Sequence, residues 1–347
     1  MESSRQKRIL AIDIGGGTQD ILVYESWKNP ENLIKLVLPS PTVIIGQRIR
    51  QAAEKKLPLY LTGTVMGGGK TTRAIKEHLG KGLPVYAAPG AAKTVFDDLR
   101  KVEELGIILT EAPPEEPFFQ AEMKDLNLGA LERAFHFYDI ELPRDVAVAV
   151  QDHGEAPPGV SNRLFRFNHW DTFLQEGGML EQLAYFTPPD YLTRMKAVQQ
   201  EKPGAMVMDT CAAAIQGALL DPAVKQELFR GVVVVNIGNQ HTFAALIKEQ
   251  RIFGLFEHHT HLMTGEKLFK MVNKLRNGEL DHEEVFADGG HGCSMAADRT
   301  GTFKFVSVTG PRRCIAADLN YHSANPFGDM MMTGCYGLVK AFQEFHK

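Results

Sequence analysis

Long apolar runs are missing from this 347-residue chain. No stretch approaches the roughly 20 residues that a membrane-spanning helix needs, which argues against a membrane role. Charge of one sign is missing too. Lys and Arg number 38 against 42 Asp and Glu, for a net charge of −4. That balance offers no broad field to nucleic acid or to an anionic membrane. Cysteine is scarce: Cys211, Cys293, Cys314 and Cys335 are scattered, with no Cys-x2-Cys pair. Reduced thiols and a cytoplasmic location are the expectation. The basic start at Arg5, Lys7 and Arg8 is followed by an apolar stretch cut by Asp13 and glycines. It reads as a first strand rather than a signal peptide. What is present is ordinary for a globular protein, at 44% apolar and 23% charged. The length suffices for two domains with sizeable cores. Oligomeric state is not legible.

The richest local signal is Ile9 to Tyr24, which reads strand, carboxylate, three glycines, hydroxyl, strand. Asp13 closes the first strand, where a carboxylate can hold magnesium through the ion's water shell. Gly15, Gly16 and Gly17 let a backbone turn bring N–H groups against phosphate oxygens. Thr18 and Gln19 add side-chain donors. The pattern recurs at Gly231 to Ile247, where a Val-rich strand runs through Asn236 into Gly238, Asn239, Gln240 and His241. Aligning Asp13-Ile14-Gly15 with Asn236-Ile237-Gly238 sets strand on strand and turn on turn. Such a repeat implies two similarly built halves. Two facing loops of this kind could clamp one nucleotide.

The arrangement resembles the actin, heat-shock chaperone ATPase and sugar-kinase superfamily. Two further segments fit. Ala205 to Leu219 is a strand, an Asp209-Thr210 pair and a small-residue helix, similar to the first connecting segment of hexokinase-like members. Phe303 to Ile315 looks like the adenosine motif, with Gly310 and Pro311 beside the nucleotide. Phe327 to Phe345 resembles the second connecting helix, with Gly334 and Gly337 small enough for close packing. In detail the sequence also resembles an uncharacterised family sometimes labelled as pyruvate formate-lyase activating enzymes. That label implies a radical enzyme with a Cys-x3-Cys-x2-Cys cluster motif, a spacing this chain lacks.

The resemblance implies an α/β, two-domain actin-like ATPase (ribonuclease H-like) fold with a nucleotide cleft between the domains. The expected spans are 1–205 for the first domain, 206–325 for the second, and 326–347 for a C-terminal helix returning to the first. Strands are expected at 9–14, 20–25, 33–38, 58–63, 83–87 and 145–151. Helices are expected over about 45–56, 91–105 and 171–200.

Three constellations compete for the remaining chemistry. Gly63 to Thr72 carries Gly67-Gly68-Gly69-Lys70, yet Gly63 leaves five residues before Gly-Lys where a P-loop has four. It reads as a glycine-rich turn lining the cleft, with Lys70 facing phosphate or substrate. Gln151-Asp152-His153 leaves a buried strand at its carboxyl end, where α/β sheets carry sites. Asp152 and His153 are therefore substrate candidates. The third is Glu257 to His261. If 252–261 is a strand, His259 and His261 share a face. With His291 they form a candidate transition-metal set, and His259 alone is a candidate for contacting substrate. Asp209 is either a helix N-cap or a catalytic base taking a proton as a phosphoryl group departs. The expected cofactors are ATP and magnesium. The expected function is a phosphotransferase on a small-molecule substrate. The alternatives are an ATPase acting on a protein partner and a non-hydrolytic metal-binding or regulatory protein.

Overall fold

The computed structural model describes residues 6–345. Arg5 and the outermost residues of both terminal spans lie outside them. The chain opens with β1 (Arg8–Ile14), β2 (Thr18–Glu25) and β3 (Ile34–Pro39). An α/β unit follows, built on β4 (Leu59–Gly63), β5 (Val85–Ala87), β6 (Ile108–Leu109) and β7 (Phe119–Met123). Strands β8 (Asp145–Val150), β9 (Ala184–Tyr185) and β10 (Met206–Met208) then join the first three. The second half carries β11 (Val232–Ile237), β12 (His241–Lys248), β13 (Arg251–His259), β14 (Gly292–Met295), β15 (Phe305–Thr309) and β16 (His322–Ser323).

These strands form two six-stranded sheets, ordered β3-β2-β1-β8-β10-β9 and β14-β13-β12-β11-β15-β16. In each, a three-stranded antiparallel meander is extended by two parallel strands beside its first strand. Five consecutive strands thus share one order and one set of directions, 3-2-1-4-5. This is the two-domain actin-like ATPase fold, with its ribonuclease H-like halves. The parallel strands need covering on both faces, which explains runs such as Val-Ala-Val-Ala-Val in β8 and four valines in β11.

The helix Thr210–Ala218 crosses the helix Thr333–Phe345 between the two sheets. Glycines set their spacing. A Cβ on Gly337 would lie 1.9 Å from the Ala213 carbonyl oxygen, and one on Gly217 1.8 Å from that of Thr333. The second half buries its outer face under Gly265–Asn277, through Leu268, Val272 and Leu275. The unit inserted between β3 and β8 is a four-stranded parallel sheet, β6-β5-β4-β7, with its own apolar core.

Two expected helices are broken. The 171–200 run is a helix at Asn162–Gln175 and another at Thr193–Glu201, separated by a 3-10 turn and β9. Gly177 and Gly178 adopt φ of 111° and 65°, and Pro188-Pro189 follows, so helix propagation stops. The 91–105 run is two short helices, Pro89–Ala92 and Leu99–Glu104, the second capped by Asp98.

Candidate functional site

The two hairpins β1–β2 and β11–β12 close in the same way. The Gly15 N–H donates to the Thr18 carbonyl at 2.9 Å, and the Gly238 N–H donates to that of His241 at 2.9 Å. The turns meet across a cavity whose lining includes Asp13, Gly16, Thr18, Asn239, Gln240 and His241. Gly310 and Pro311 lie on its wall with Asn236 and Gly238. Gly310 has φ 99°, and a Cβ there would come within 2.5 Å of the Ile237 carbonyl oxygen. The turns also touch. A Cβ on Gly16 would sit 2.3 Å from the Gln240 side chain, and one on Gly17 2.5 Å from that of Asn239.

Strand alternation divides the expected loop residues. Thr18 and Asp20 face the cavity. Gln19 faces away, its amide donating to the Pro39 carbonyl at 3.0 Å. A contact from Gln19 to phosphate is therefore not what this hairpin offers.

Asp13 and Asp20 are directly opposed across β1 and β2. Each has a buried Oδ1 with no hydrogen-bond partner. Burial raises the Asp13 carboxyl well above its usual range, with Asp20 and Asp209 adding to the effect. Burial likewise pushes Asp20 up to about 7. Like charges facing each other on a sheet repel. A divalent cation would relieve both orphaned oxygens, so this pair fits magnesium.

Asp209 caps the Thr210 helix, accepting from the Cys211 N–H at 3.0 Å. It is also ion-paired to Arg166 at 2.8 Å. Burial opposes its ionisation, but Arg166 outweighs that and holds the carboxyl below its usual value. Asp209 lines a cavity with Trp170, Tyr185 and Tyr191 and does not line the cavity between the hairpins. Its surroundings make it a cap and an anchor for Arg166. They do not favour a proton acceptor at the phosphate end.

Arg166, a residue with no motif around it, is the hub. Its Nε donates to Glu257 at 2.6 Å and its Nη1 to the Asp152 carbonyl at 2.8 Å. Asp152 accepts from the Gly154 and Met195 N–H groups at 3.0 Å each, so it fixes its own loop. A second cavity is lined in part by Gly16, Gly67–Gly69, Lys93, Asp152, His153 and Arg194. The glycine-rich turn does line it, and Arg194 is clamped by Asp125 at 2.9 Å. Lys70 is exposed and outside the lining. It is the first side chain past the turn on the helix Gly69–Gly80, and it points away.

The histidines gather differently from the sequence expectation. β13 ends at His259, and His261 lies in a 3-10 turn, exposed. The shared strand face does not form. Instead His153, His241, His291 and Glu257 bring one donor atom each to within 4.8 Å of one another. His259 packs at the edge, its ring centroid 4.8 Å from that of His291. Burial holds His291 down to about 3 and His259 to about 4, so both are neutral at physiological pH.

The family model described as "Putative pyruvate format-lyase activating enzyme (DUF1786)" matches residues 66–315. The chain belongs to this family. No curated protein matches it in sequence. Its similarity to solved structures is low in identity. A Bacteroides thetaiotaomicron protein with actin-like ATPase fold and unknown function is 9% identical, with 95% of each chain covered and a TM-score of 0.37. An activator of 2-hydroxyisocaproyl-CoA dehydratase from Clostridium difficile, solved with ADPNP, is 10% identical, with 97% of this chain and 95% of that chain covered and a TM-score of 0.33. A ROK family transcriptional regulator, a homolog of the E. coli MLC protein, is 9% identical, with 71% of this chain covered and a TM-score of 0.28. This chain spans only 37% of that regulator's length. The family's descriptive label is not matched by the thiols. Cys211, Cys293 and Cys335 are buried on separate elements and Cys314 is exposed, so the described residues form no three-thiolate cradle.

Proposed function

We propose that the cleft binds Mg-ATP and that the protein transfers the γ-phosphoryl group to a small molecule held in the second cavity. The observation that carries this reading is the pair of matched turns facing each other beside two orphaned carboxylates. Backbone N–H groups of Gly16 and Asn239 would meet phosphate oxygens, and Asp13 and Asp20 would hold the ion. Bound magnesium would offset the charge spread over the phosphates. Gly310 and Pro311 would lie along the nucleoside. Gly16 and Gln240 line both cavities, so an acceptor in the second would sit next to the terminal phosphate. Lys93 and Arg194 supply cationic groups there, and Asp152 a carboxyl. Lys93 is paired with Glu155 and Arg194 with Asp125, and Asp97 adds a further carboxyl to the lining, so this chemistry favours a polar metabolite over an anionic one.

Contact between the turns supports a second feature of the reading. A nucleotide entering between the turns would have to displace the Gln240 and Asn239 side chains from Gly16 and Gly17, and an opening movement of the two halves would clear both contacts at once. An ATPase that works on a protein partner would use the same movement, and the acceptor decides between the two. Calorimetry with Mg-ATP and Mg-ADP tests the nucleotide. ADP release with and without metabolite pools tests the acceptor. Absence of any nucleotide binding at millimolar concentration would overturn the proposal.

A further inference from the structure

Beside the hairpins lies a cluster that nucleotide chemistry does not use. His153 follows β8 in the first sheet. His241 opens β12, Glu257 belongs to β13, and His291 precedes β14 in the second. Their rings converge: His153 to His291 at 4.9 Å between centroids, His241 to His291 at 4.8 Å, and His153 to His241 at 5.7 Å.

Three imidazoles and a carboxylate packed this closely need a reason. His291 is 1% exposed, and its Nδ1 is buried with no hydrogen-bond partner. That atom points at Glu257 Oε1 across 3.5 Å, too far for a good hydrogen bond. An orphaned buried nitrogen is costly unless something else satisfies it.

The surrounding bonds prepare the remaining donors. The Gln151 carbonyl Oε1 lies 2.6 Å from His241 Nδ1. An amide oxygen only accepts, so Nδ1 carries the proton and Nε2 keeps its lone pair. The same Gln151 donates through Nε2 to Glu257 Oε1 at 2.6 Å. Arg166 holds Glu257 Oε2 at 2.6 Å, while Asp209 on its other side matches the guanidinium charge. Fixing a ligand histidine through its other nitrogen, and a ligand carboxylate through its other oxygen, is how metal centres orient their ligands.

We propose that His153, His241, Glu257 and His291 form a binding site for one first-row divalent transition ion, distinct from the magnesium position at Asp13 and Asp20. Three imidazole nitrogens and one carboxylate suit zinc, iron(II), cobalt or nickel over magnesium, which takes oxygen. A tetrahedral ion with bonds of about 2.0 Å places its donors about 3.3 Å apart. The present spread of up to 4.8 Å closes to that with shifts of under about 1 Å per side chain. Because His153 comes from one sheet and the other three donors from the second, the ion ties the two halves together where the hairpins meet. His241 and Glu257 also line the cavity between the hairpins, so the site is tested by metal uptake in the absence of nucleotide.

The test uses the full chain, stripped with chelator and dialysed, then titrated with Co²⁺ and Zn²⁺. One equivalent of Co²⁺ should bind and give the visible absorption of a low-symmetry nitrogen–oxygen site, and Zn²⁺ should displace it. Excess Mg²⁺ should not. Bound metal should raise the unfolding temperature. His291→Ala and His153→Ala should each abolish stoichiometric uptake while circular dichroism keeps its shape. Should His291→Ala fail to fold, His153→Ala decides, since that ring is only partly buried. Gln151→Leu should weaken binding by about 10- to 100-fold. His261→Ala should leave uptake unchanged. The site is overturned if wild-type protein takes up no equivalent of Co²⁺ or Zn²⁺, if uptake survives His153→Ala, or if it is lost in His261→Ala. The last result would mean that the ion sits instead on His259, His261 and His291.

Discussion

Asp13 and Asp20 stand directly opposite each other in the β1–β2 ladder against the cleft, Asp20 buried and Asp13 half-buried, each with a buried Oδ1 that no described residue satisfies. Nothing in β-sheet stability favours that pair. It makes sense as a site that waits for a cation, with the terminal helix packed hard against it. A Cβ on Gly334 would lie 1.9 Å from Asp13 Oδ2.

The pair gives a pH signature. Burial raises Asp20 to about 7 in the folded state, against about 3.9 unfolded. The native chain therefore holds the extra proton. The stabilisation this provides is fully present below about pH 4 and is lost as pH rises through about 7. His291 acts oppositely: its value of about 3 penalises the fold as pH falls below about 6.5. The comparison must therefore be made between variants. Wild-type protein without divalent ions should lose more stability between pH 5 and pH 8 than Asp20→Asn. Added Mg²⁺ should restore the wild type at pH 8 and leave the variant unmoved. Urea midpoints across pH measure both effects, and identical profiles would refute the cation reading of Asp20.

Gly16→Val should fold and fail to bind nucleotide. The new side chain meets Gln240 first, and that flexible side chain can swing aside. It also fills the space where backbone must approach phosphate. At 100 times its dissociation constant, Mg-ATP should stabilise wild type by about 2.7 kcal/mol. The shift should vanish in the variant. A thermal-shift titration reads this directly, and a full shift in Gly16→Val would make the hairpin structural only.

Gly337→Val should destabilise the whole protein. Here the obstacle is the Ala213 carbonyl oxygen at 1.9 Å, which is helix backbone and cannot move aside. Separating the crossing helices should cost about 3 kcal/mol, the upper end of the usual range for overpacking. Chemical denaturation should show it. Gly204→Ala is the contrast for a glycine with nothing within 4 Å of an added Cβ, although its φ of 81° brings strain of its own.

How far the sequence could be read depended on whether a feature was local. The hairpins were legible because strand, carboxylate and glycine turn lie within sixteen residues, and their repeat implied the duplicated sheets. Strand β8 was legible because a strand covered on both faces must be apolar throughout. Asp20 is implied by the hairpin, since a tight turn after Asp13 places it directly opposite. Arg166 was not legible, and Glu257, although it opens the histidine segment, carried no sign of its ion pair. Each is an ordinary charge in its own segment, and they are 91 residues apart. The histidine cluster was half seen. Counting histidines on one strand pointed to His259 and His261. The real convergence draws His153 from the other sheet, a contact made only by tertiary packing. The direction of Lys70 was not legible, because a glycine-rich turn at the cleft does not fix which way the first turn of the following helix faces.

Asp209 separates a structural from a chemical role most sharply. Asn is as good an N-cap as Asp, so Asp209→Asn keeps the bond to the Cys211 N–H. What it removes is the negative charge beside Arg166, which is 4% exposed and then has only Glu257 to balance it. Breaking one arm of a buried ion pair costs about 3–5 kcal/mol. Asn should sit at the low end of that range, since it still offers an oxygen to the guanidinium. The pH dependence has a definite sign. Asp209 is held below its usual value by Arg166, so its contribution is present above about pH 4 and is lost as pH falls through its folded value. The variant should accordingly lose most stability at neutral pH and converge on wild type in acid. Metal uptake should weaken as well, because Arg166 positions Glu257. If Asp209 were instead the catalytic base, Asn would leave stability and metal uptake intact and reduce turnover alone, by about 10²–10⁴. Urea denaturation at pH 7 and pH 4, run beside the cobalt titration, distinguishes the two outcomes without needing an activity assay.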